Sequence, residues 1–243
     1  MKLLTFAGRN TKEILRDPLT TVFSLGFPVV LLLLLSAIQA NVPAEIFKIE
    51  SLTPGMTVFG LSFMTLFSAA LISKDRESAL LQRLYTTPLR AADFIFGYML
   101  PILPIAVVQS TVCYFVAVIL GLTATVTIVY AILFIVPVSL IFIALGLLCG
   151  SVLNVKQVGG ICGALLTNVA AWLSGIWFDL NLVGSTFKKI ANGLPFYHAV
   201  ELEKAVLNGD YANMAPHIFW VVGYAAVLTA AAVVLFVRQM KEQ

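Results

Sequence analysis

The chain has 243 residues, of which 60% are hydrophobic and only 11% are charged, and its mean hydropathy is +0.99. Soluble domains carry about a quarter charged residues, so this composition indicates a helical membrane protein with no room for a soluble catalytic domain. The net charge of +3 is modest and requires no nucleic-acid partner.

Residues 2–16 are predicted to form an amphipathic helix. At about 100° per residue, the apolar side chains fall on one face and four cations fall on the opposite face: Lys2, Arg9, Lys12 and Arg16. This pattern is typical of a helix that lies in the membrane interface, with its cations toward anionic lipid headgroups. A mitochondrial-type targeting peptide is the alternative, and the acidic Glu13 and Asp17 weigh against it.

Apolar runs of about 20 residues, the length that crosses a bilayer, fill the rest of the chain. The fold class is therefore an all-α polytopic membrane protein, with one transmembrane domain over residues 1–243. We predict six transmembrane helices: 19–39, 54–73, 94–120, 125–149, 158–178 and 215–237. The three cysteines lie inside these runs, which argues against a disulfide framework or a zinc site.

The loops between the spans indicate the orientation. Eleven of the 15 Lys and Arg residues lie on one side of the predicted membrane and four on the other. Because Lys and Arg accumulate in cytoplasmic loops, both termini are predicted to be cytoplasmic. Both termini can lie on the same side of the membrane only if the number of spans is even, which agrees with six. We expect a multi-pass protein of the bacterial inner or plasma membrane.

Polar side chains within the spans are few. Three are candidates for a substrate pathway: Thr65, Gln109 and Asn168. Helix packing is the alternative, and for Asn168 it is slightly favoured. Two small-xxx-small pairs predict a close approach of helices: Gly146 with Gly150, and Gly159 with Gly163. Pro101 and Pro104 are expected to kink the third span.

The segment 73–93 is charged and longer than a simple connector between two spans. On a helical wheel of residues 74–85 the leucines share one face, and proline at position 88 ends the helix. Glu77 falls among the leucines, where a carboxylate is costly unless it is paired or hydrogen-bonded. Backbone donors or a basic residue of the 2–16 helix are its expected partners, and partial solvation is the alternative. The segment is interpreted as a cytoplasmic docking surface.

The segment 180–209 is external in this topology, yet it is rich in apolar residues. Pro195 can begin a helix that Asn208 and Gly209 end. We predict one or two short external re-entrant helices between spans five and six, dipping into the outer leaflet. Backbone at that depth must be shielded by protein.

Several short motifs, in order along nearly the whole chain, resemble those of the permeases of type-2 ATP-binding-cassette (ABC) exporters. They are Arg16-Asp17-Pro18, Pro54-Gly55, Arg76-Glu77, Leu84, Thr87-Pro88, Gly97 and Leu194-Pro195. Ala79-Leu80 departs from the Gly-Thr expected after the Arg-Glu pair, which leaves the subfamily open.

The resemblance implies that residues 2–16 are a connecting helix and residues 74–85 a coupling helix, both resting on a separate ABC ATPase subunit. The implied ATPase-coupling residues are Arg76, Glu77, Arg83, Leu84 and Pro88. It also implies a second permease copy, as a homodimer or a heterodimer with a paralogue, with the substrate path between the two copies.

The chain contains no Gly-x-x-x-x-Gly-Lys-Ser/Thr sequence, so it is expected to be a transport subunit and not an enzyme. It requires no cofactor of its own, since ATP and magnesium would bind the partner ATPase. An ion-coupled carrier would need ionisable residues deep in the spans, and none is predicted at mid-span. A non-transporting membrane scaffold or immunity protein is the alternative function. An intramembrane enzyme is less favoured, because the sequence has neither His-Glu-x-x-His nor Gly-x-Ser-x-Gly.

Overall fold

The computed structural model describes residues 2–42, 47–78, 80–81 and 91–241, and these residues contain helices and no strand. Within them, five helices are long and apolar enough to cross a membrane: Ser24–Asn41, Ile49–Glu77, Ala92–Ile119, Val126–Val152 and Tyr211–Gln239. The prediction of an all-helical, multi-pass protein is confirmed.

The first six helices begin with a short amphipathic helix that precedes the spans. They are α1 (Lys2–Leu15), α2 (Pro18–Asn41), α3 (Ile49–Glu77), α4 (Ala91–Met99), α5 (Ile102–Ile119) and α6 (Val126–Val152). Helix α3 lies at the centre of the bundle. In the most apolar stretch of α3, 89% of the residues are buried inside the bundle. In the last span, Tyr211–Gln239, the corresponding share is 17%. Helices α2, α5 and α6 all pack on α3.

The predicted third span is divided at its first proline. Helix α4 ends at Met99 and α5 begins at Ile102, with Leu100 and Pro101 between them. A proline ring inside a helix removes one hydrogen bond and clashes with the preceding turn, so the break falls where the sequence predicts it.

The run predicted as the fifth span, 158–178, does not form one long α-helix. Residues 155–173 form α7 (Val155–Val158), a π-helix (Gly159–Leu166) and α8 (Thr167–Leu173), which follow one another without a break, and residues 174–178 form turns and bends. By helix length and composition, five candidate spans are found among the described residues, and the predicted count of six is not confirmed. Three glycines in the π-helix weaken the preference for regular α-helix there.

The two glycine pairs differ in their packing. A Cβ atom on Gly150 would lie 2.5 Å from the backbone oxygen of Ala69 and 2.8 Å from its Cα, and one on Gly146 would overlap Ser68. The predicted close approach of α6 to α3 is therefore confirmed. In the second pair, Gly159 has no atom within 4 Å of such a Cβ, and a Cβ on Gly163 would make only an ordinary contact with the Leu66 side chain at 3.4 Å.

Three short helices and one long helix complete the described chain: α9 (Leu180–Val183), α10 (Ser185–Asn192), α11 (Pro195–Leu207) and α12 (Tyr211–Lys241). Pro195 is at the first turn of α11, and Gly209 follows its end with a positive φ of 71°. Helix α11 packs against α3, α6 and α12. It is an embedded part of the bundle and not a surface loop.

Candidate functional site

A partly buried ion pair connects α1 to the end of α3. Arg9 donates from Nη1 to Asp75 Oδ2 at 2.5 Å and from Nη2 to Asp75 Oδ1 at 2.7 Å. Tyr98 of α4 donates its hydroxyl to Asp75 Oδ2 at 2.8 Å. Asp75 is only 2% exposed, whereas the Arg9 side chain is 37% exposed. A bidentate pair of this kind fixes both distance and orientation, so α1 is held firmly against α3 and α4.

A second contact continues this seam between α1 and α4. Asn10 is fully buried and donates from Nδ2 to the backbone oxygen of Gly97 at 3.0 Å. Phe6 lies edge-on to Phe94 and Tyr98, with ring centroids 5.8 and 5.0 Å away. A Cβ atom on Gly97 would overlap the Phe6 ring. Glycine at position 97 therefore lets α1 approach α4 closely.

Arg76 caps the end of α6. Residues 74–77, predicted to begin a separate helix, form the last turn of α3. The Arg76 guanidinium donates to the backbone oxygens of Ser151, Val152 (3.3 Å) and Leu153 (2.6 Å). These carbonyls lie at the end of α6, where backbone acceptors lack helical partners. Arg76 thus joins the end of α3 to the turn between α6 and α7.

Glu77 holds the other side of the same turn, which we name the α6–α7 turn (residues 151–155). Its Oε1 accepts the backbone N–H of Val155, the first residue of α7, at 2.8 Å. A carboxylate at a helix N-terminus is favourable, because the first amides are otherwise unpaired. The expectation that Glu77 finds a backbone donor is confirmed, and the residue is also exposed, in agreement with the solvation alternative. Gln239 of α12 also reaches the turn and donates to Ser151 O at 2.8 Å.

The remaining predicted coupling residues, Arg83, Leu84 and Pro88, lie outside the described residues. Residues 79, 82 and 85 of the 74–85 segment and the side chain of Lys2 also lie outside the described residues. The side chains of Lys12 and Arg16 are exposed, and Arg16 lies 3.8 Å from Glu13. Leu4 and Leu15 of α1 are each 65% exposed, so this helix keeps apolar surface away from the bundle.

The three pathway candidates do not share one surface. Thr65 is buried and donates to Phe142 O of α6 at 2.9 Å. Gln109 is fully buried, and its amide fills the space beside Gly60. Asn168 is exposed and donates to Ala164 O at 2.8 Å in its own helix. Thr65 and Gln109 are therefore enclosed among the helices of this chain, whereas Asn168 alone of the three faces outward.

Sequence reasoning missed a buried carboxyl group. Glu203 of α11 is fully buried and accepts from the hydroxyl of Tyr114 at 3.1 Å. Its Oε1 makes no hydrogen bond in the described chain. Burial raises the pKa of Glu203 to about 8, which favours the protonated acid at neutral pH. The sequence signal is that Glu203 shares a helical face with the apolar residues Ala199, Val200, Val206 and Leu207, and the assignment to an external segment concealed it.

Two histidines join α11 to α12 at this other end of the bundle. The Nδ1 atoms of His198 and His217 are 2.8 Å apart, and His198 Nε2 lies 2.9 Å from the backbone oxygen of Asn192. Trp220 stacks on His198 with ring centroids 4.7 Å apart and an interplanar angle of 10°. In the neutral pair one Nδ1 donates and the other accepts, whereas two imidazolium rings could not make this bond.

The packing of α11 on α12 is expected to weaken in acid. Burial lowers the pKa of His198 from its usual 6.5, although the charge of Glu201 opposes this. The stabilisation from the neutral ring is therefore complete above pH 6.5 and is lost as pH falls toward the lower folded-state pKa. Amide hydrogen exchange of α11, after correction for intrinsic rates, should accelerate between about pH 7 and pH 5. An unchanged acceleration in the His198→Gln/His217→Gln variant would contradict this role.

These long apolar helices, joined by buried hydrogen bonds and an ion pair, define a multi-pass helical membrane protein. Residues 1–207 match the model of the family described as ABC-2 type transporter. The match covers most of the 243 residues, so the chain belongs to the ABC-2 type transporter family. It is a transmembrane permease of an ABC transporter, and permeases of this family typically work with an ATPase partner. A comparison with curated proteins found no match.

Proposed function

We propose that this chain is the membrane permease of an ATP-driven exporter and that its ATPase partner docks at the α1 end of the bundle. The observation that carries the proposal is the set of contacts at the end of α3. Three consecutive residues, Asp75, Arg76 and Glu77, connect α3 to α1, α4 and the α6–α7 turn. A displacement of that end would reach several spans together, because each contact is a charge-assisted hydrogen bond.

The proposed topology places both termini and this end of the bundle in the cytoplasm of a bacterial cell, following the Lys and Arg distribution. It has six spans, with the continuous helical stretch 155–173 as the fifth. The coupling helix, 74–85, would extend the docking surface through Arg83, Leu84 and Pro88. The connecting helix, 2–16, would lie in the membrane interface, with its exposed Leu4 and Leu15 toward lipid.

The proposed mechanism is alternating access by two permease copies. ATP and magnesium bind the partner ATPases, whose closure pushes on the two α1 ends. Rigid-body tilting of the spans then opens a path between the copies. Helices α9–α11 would form the re-entrant external segment that closes this path from outside. The apolar character of the spans favours an apolar or amphipathic substrate.

Affinity purification of the tagged chain in mild detergent tests the partnership. An ABC ATPase should co-purify with the chain, and ATP hydrolysis by the reconstituted complex should depend on the permease. The matched control is an unrelated six-span protein carrying the same tag and expressed to the same level. Recovery of the chain as a folded protein without any ATPase would favour a non-transporting scaffold or immunity protein.

A further inference from the structure

A polar cavity of about 330 Å³ opens at the end of the bundle opposite α1. Helices α3, α10 and α11 and the loop before α9 form its walls. The side chains that give it its chemistry are Ser51, Asp179, Lys188, Tyr197, Glu201 and Lys204. Tyr197, Glu201 and Lys204 follow one another at helical spacing, so α11 turns a single polar stripe toward the cavity.

The charges in this cavity are kept apart by an amide. Asp179 Oδ1 accepts from Asn181 Nδ2 at 2.7 Å, and Lys188 Nζ donates to Asn181 Oδ1 at 2.7 Å. Asp179 and Lys188 therefore share a neighbour but form no ion pair with each other. The charges of Asp179 and Lys188 therefore both remain available to a ligand. The Asn181 side chain between them sets their separation.

The acidic side of the cavity has free acceptor capacity. Glu201 Oε1 accepts from Lys204 at 2.9 Å, and both side chains of this pair are more than two-thirds buried. Glu201 Oε2 and Asp179 Oδ2 make no hydrogen bond in the described chain. Partial burial and the charges of Glu201 and Asp179 raise the pKa of Tyr197. The Tyr197 hydroxyl thus lies in negative potential, which attracts a cation.

We propose that this cavity binds a zwitterion with a primary ammonium group and a phosphate separated by a short linker. Asp179 and Glu201 receive the ammonium and Lys188 receives the phosphate. A simple anion would meet the two carboxylates, and a simple cation would meet Lys188 and Lys204, so neither complements both signs of charge in the cavity. The headgroup of phosphatidylethanolamine and free phosphoethanolamine both have this chemistry, and the cavity is large enough for either with bound water. The proposal does not depend on ATP-driven export.

Calorimetric titration of the purified chain in phospholipid-free detergent tests the site, with no ATPase or nucleotide present. Dihexanoyl-phosphatidylethanolamine should bind at least about tenfold more tightly than dihexanoyl-phosphatidylglycerol, which lacks the ammonium, because a hydrogen bond to a charged group is lost. Free phosphoethanolamine is the third probe. Binding equal to that of the lipid would assign the site to a soluble zwitterion, and much weaker binding would assign it to the lipid headgroup.

Two pairs of variants localise the binding. Lys188→Gln should weaken phosphatidylethanolamine about tenfold, whereas Lys189→Gln, at an exposed neighbour outside the cavity, should not. Asp179→Asn keeps an oxygen to cap α9 and should weaken binding, whereas Glu50→Gln, an exposed acid at the start of α3, should not. Equal affinity for the two lipids, or unchanged binding in both Lys188→Gln and Asp179→Asn, would overturn the proposal.

Discussion

Arg76→Gln and Glu77→Gln are each expected to lower substrate-stimulated ATPase activity of the reconstituted complex about tenfold or more, while the chain still inserts and folds. Each variant removes a charge-assisted contact between the end of α3 and the α6–α7 turn, worth about 1.5–3 kcal/mol. Without that contact a push on the end of α3 is transmitted less effectively to the α6–α7 turn. The measurement compares basal and stimulated hydrolysis at equal amounts of permease and ATPase.

Matched controls separate this effect from a general change of charge. Arg238→Gln removes an exposed cation of α12, and Glu50→Gln removes an exposed acid at the far end of α3. Both should retain normal stimulation. Arg76→Lys should recover only part of it, because an ammonium cannot replace the planar fork that serves several carbonyls. Normal stimulation in both Arg76→Gln and Glu77→Gln would show that the turn does not transmit the ATPase motion.

Hydropathy located five of the predicted spans, but no sequence pattern identified the partners of the charged residues. Hydropathy locates apolar runs because lipid tolerates few charges, and the break at Pro101 follows from the missing N–H of proline. The position of Glu77 on the apolar face of its helix also correctly predicted that its carboxylate has a hydrogen-bonding partner. The identity of that partner, Val155, depends on how α3 lies beside the α6–α7 turn. Helical periodicity assigns a side chain to a face and does not say what that face meets.

The same limit explains two further differences. Arg9 was placed on a lipid-headgroup face by its helical angle, yet it pairs with Asp75, 66 positions further along the chain. The fifth predicted span satisfies a hydropathy window, but its glycines allow a π-helix that divides it. Glu203 was assigned to an external segment, and only the packing of α11 on α3, α6 and α12 reveals that it is buried.

Breaking the Arg9–Asp75 pair is expected to destabilise the protein asymmetrically. Arg9→Met leaves the buried Asp75 carboxylate with only the Tyr98 hydroxyl, and should lower the free energy of unfolding by about 2–4 kcal/mol. Asp75→Asn should cost only about 1 kcal/mol, because the amide oxygen still accepts hydrogen bonds. In the Asp75→Asn variant the Arg9 guanidinium, which is partly exposed, can also be solvated by water. Reversible unfolding in mixed detergent micelles measures both changes.

A double variant separates the pair from the packing around it. Arg9→Met/Asp75→Leu removes both charges, so it should be less destabilised than Arg9→Met alone, since no carboxylate is left buried without its cation. Lys12→Gln, an exposed cation on the same helix, should have little effect. If Arg9→Met and Asp75→Asn cost the same, and Arg9→Met/Asp75→Leu is no more stable than Arg9→Met, Asp75 is solvated in the membrane-embedded protein. The α1 helix would then be held mainly by Phe6 and Asn10, and its displacement by a docked ATPase would be transmitted through α4 rather than through α3.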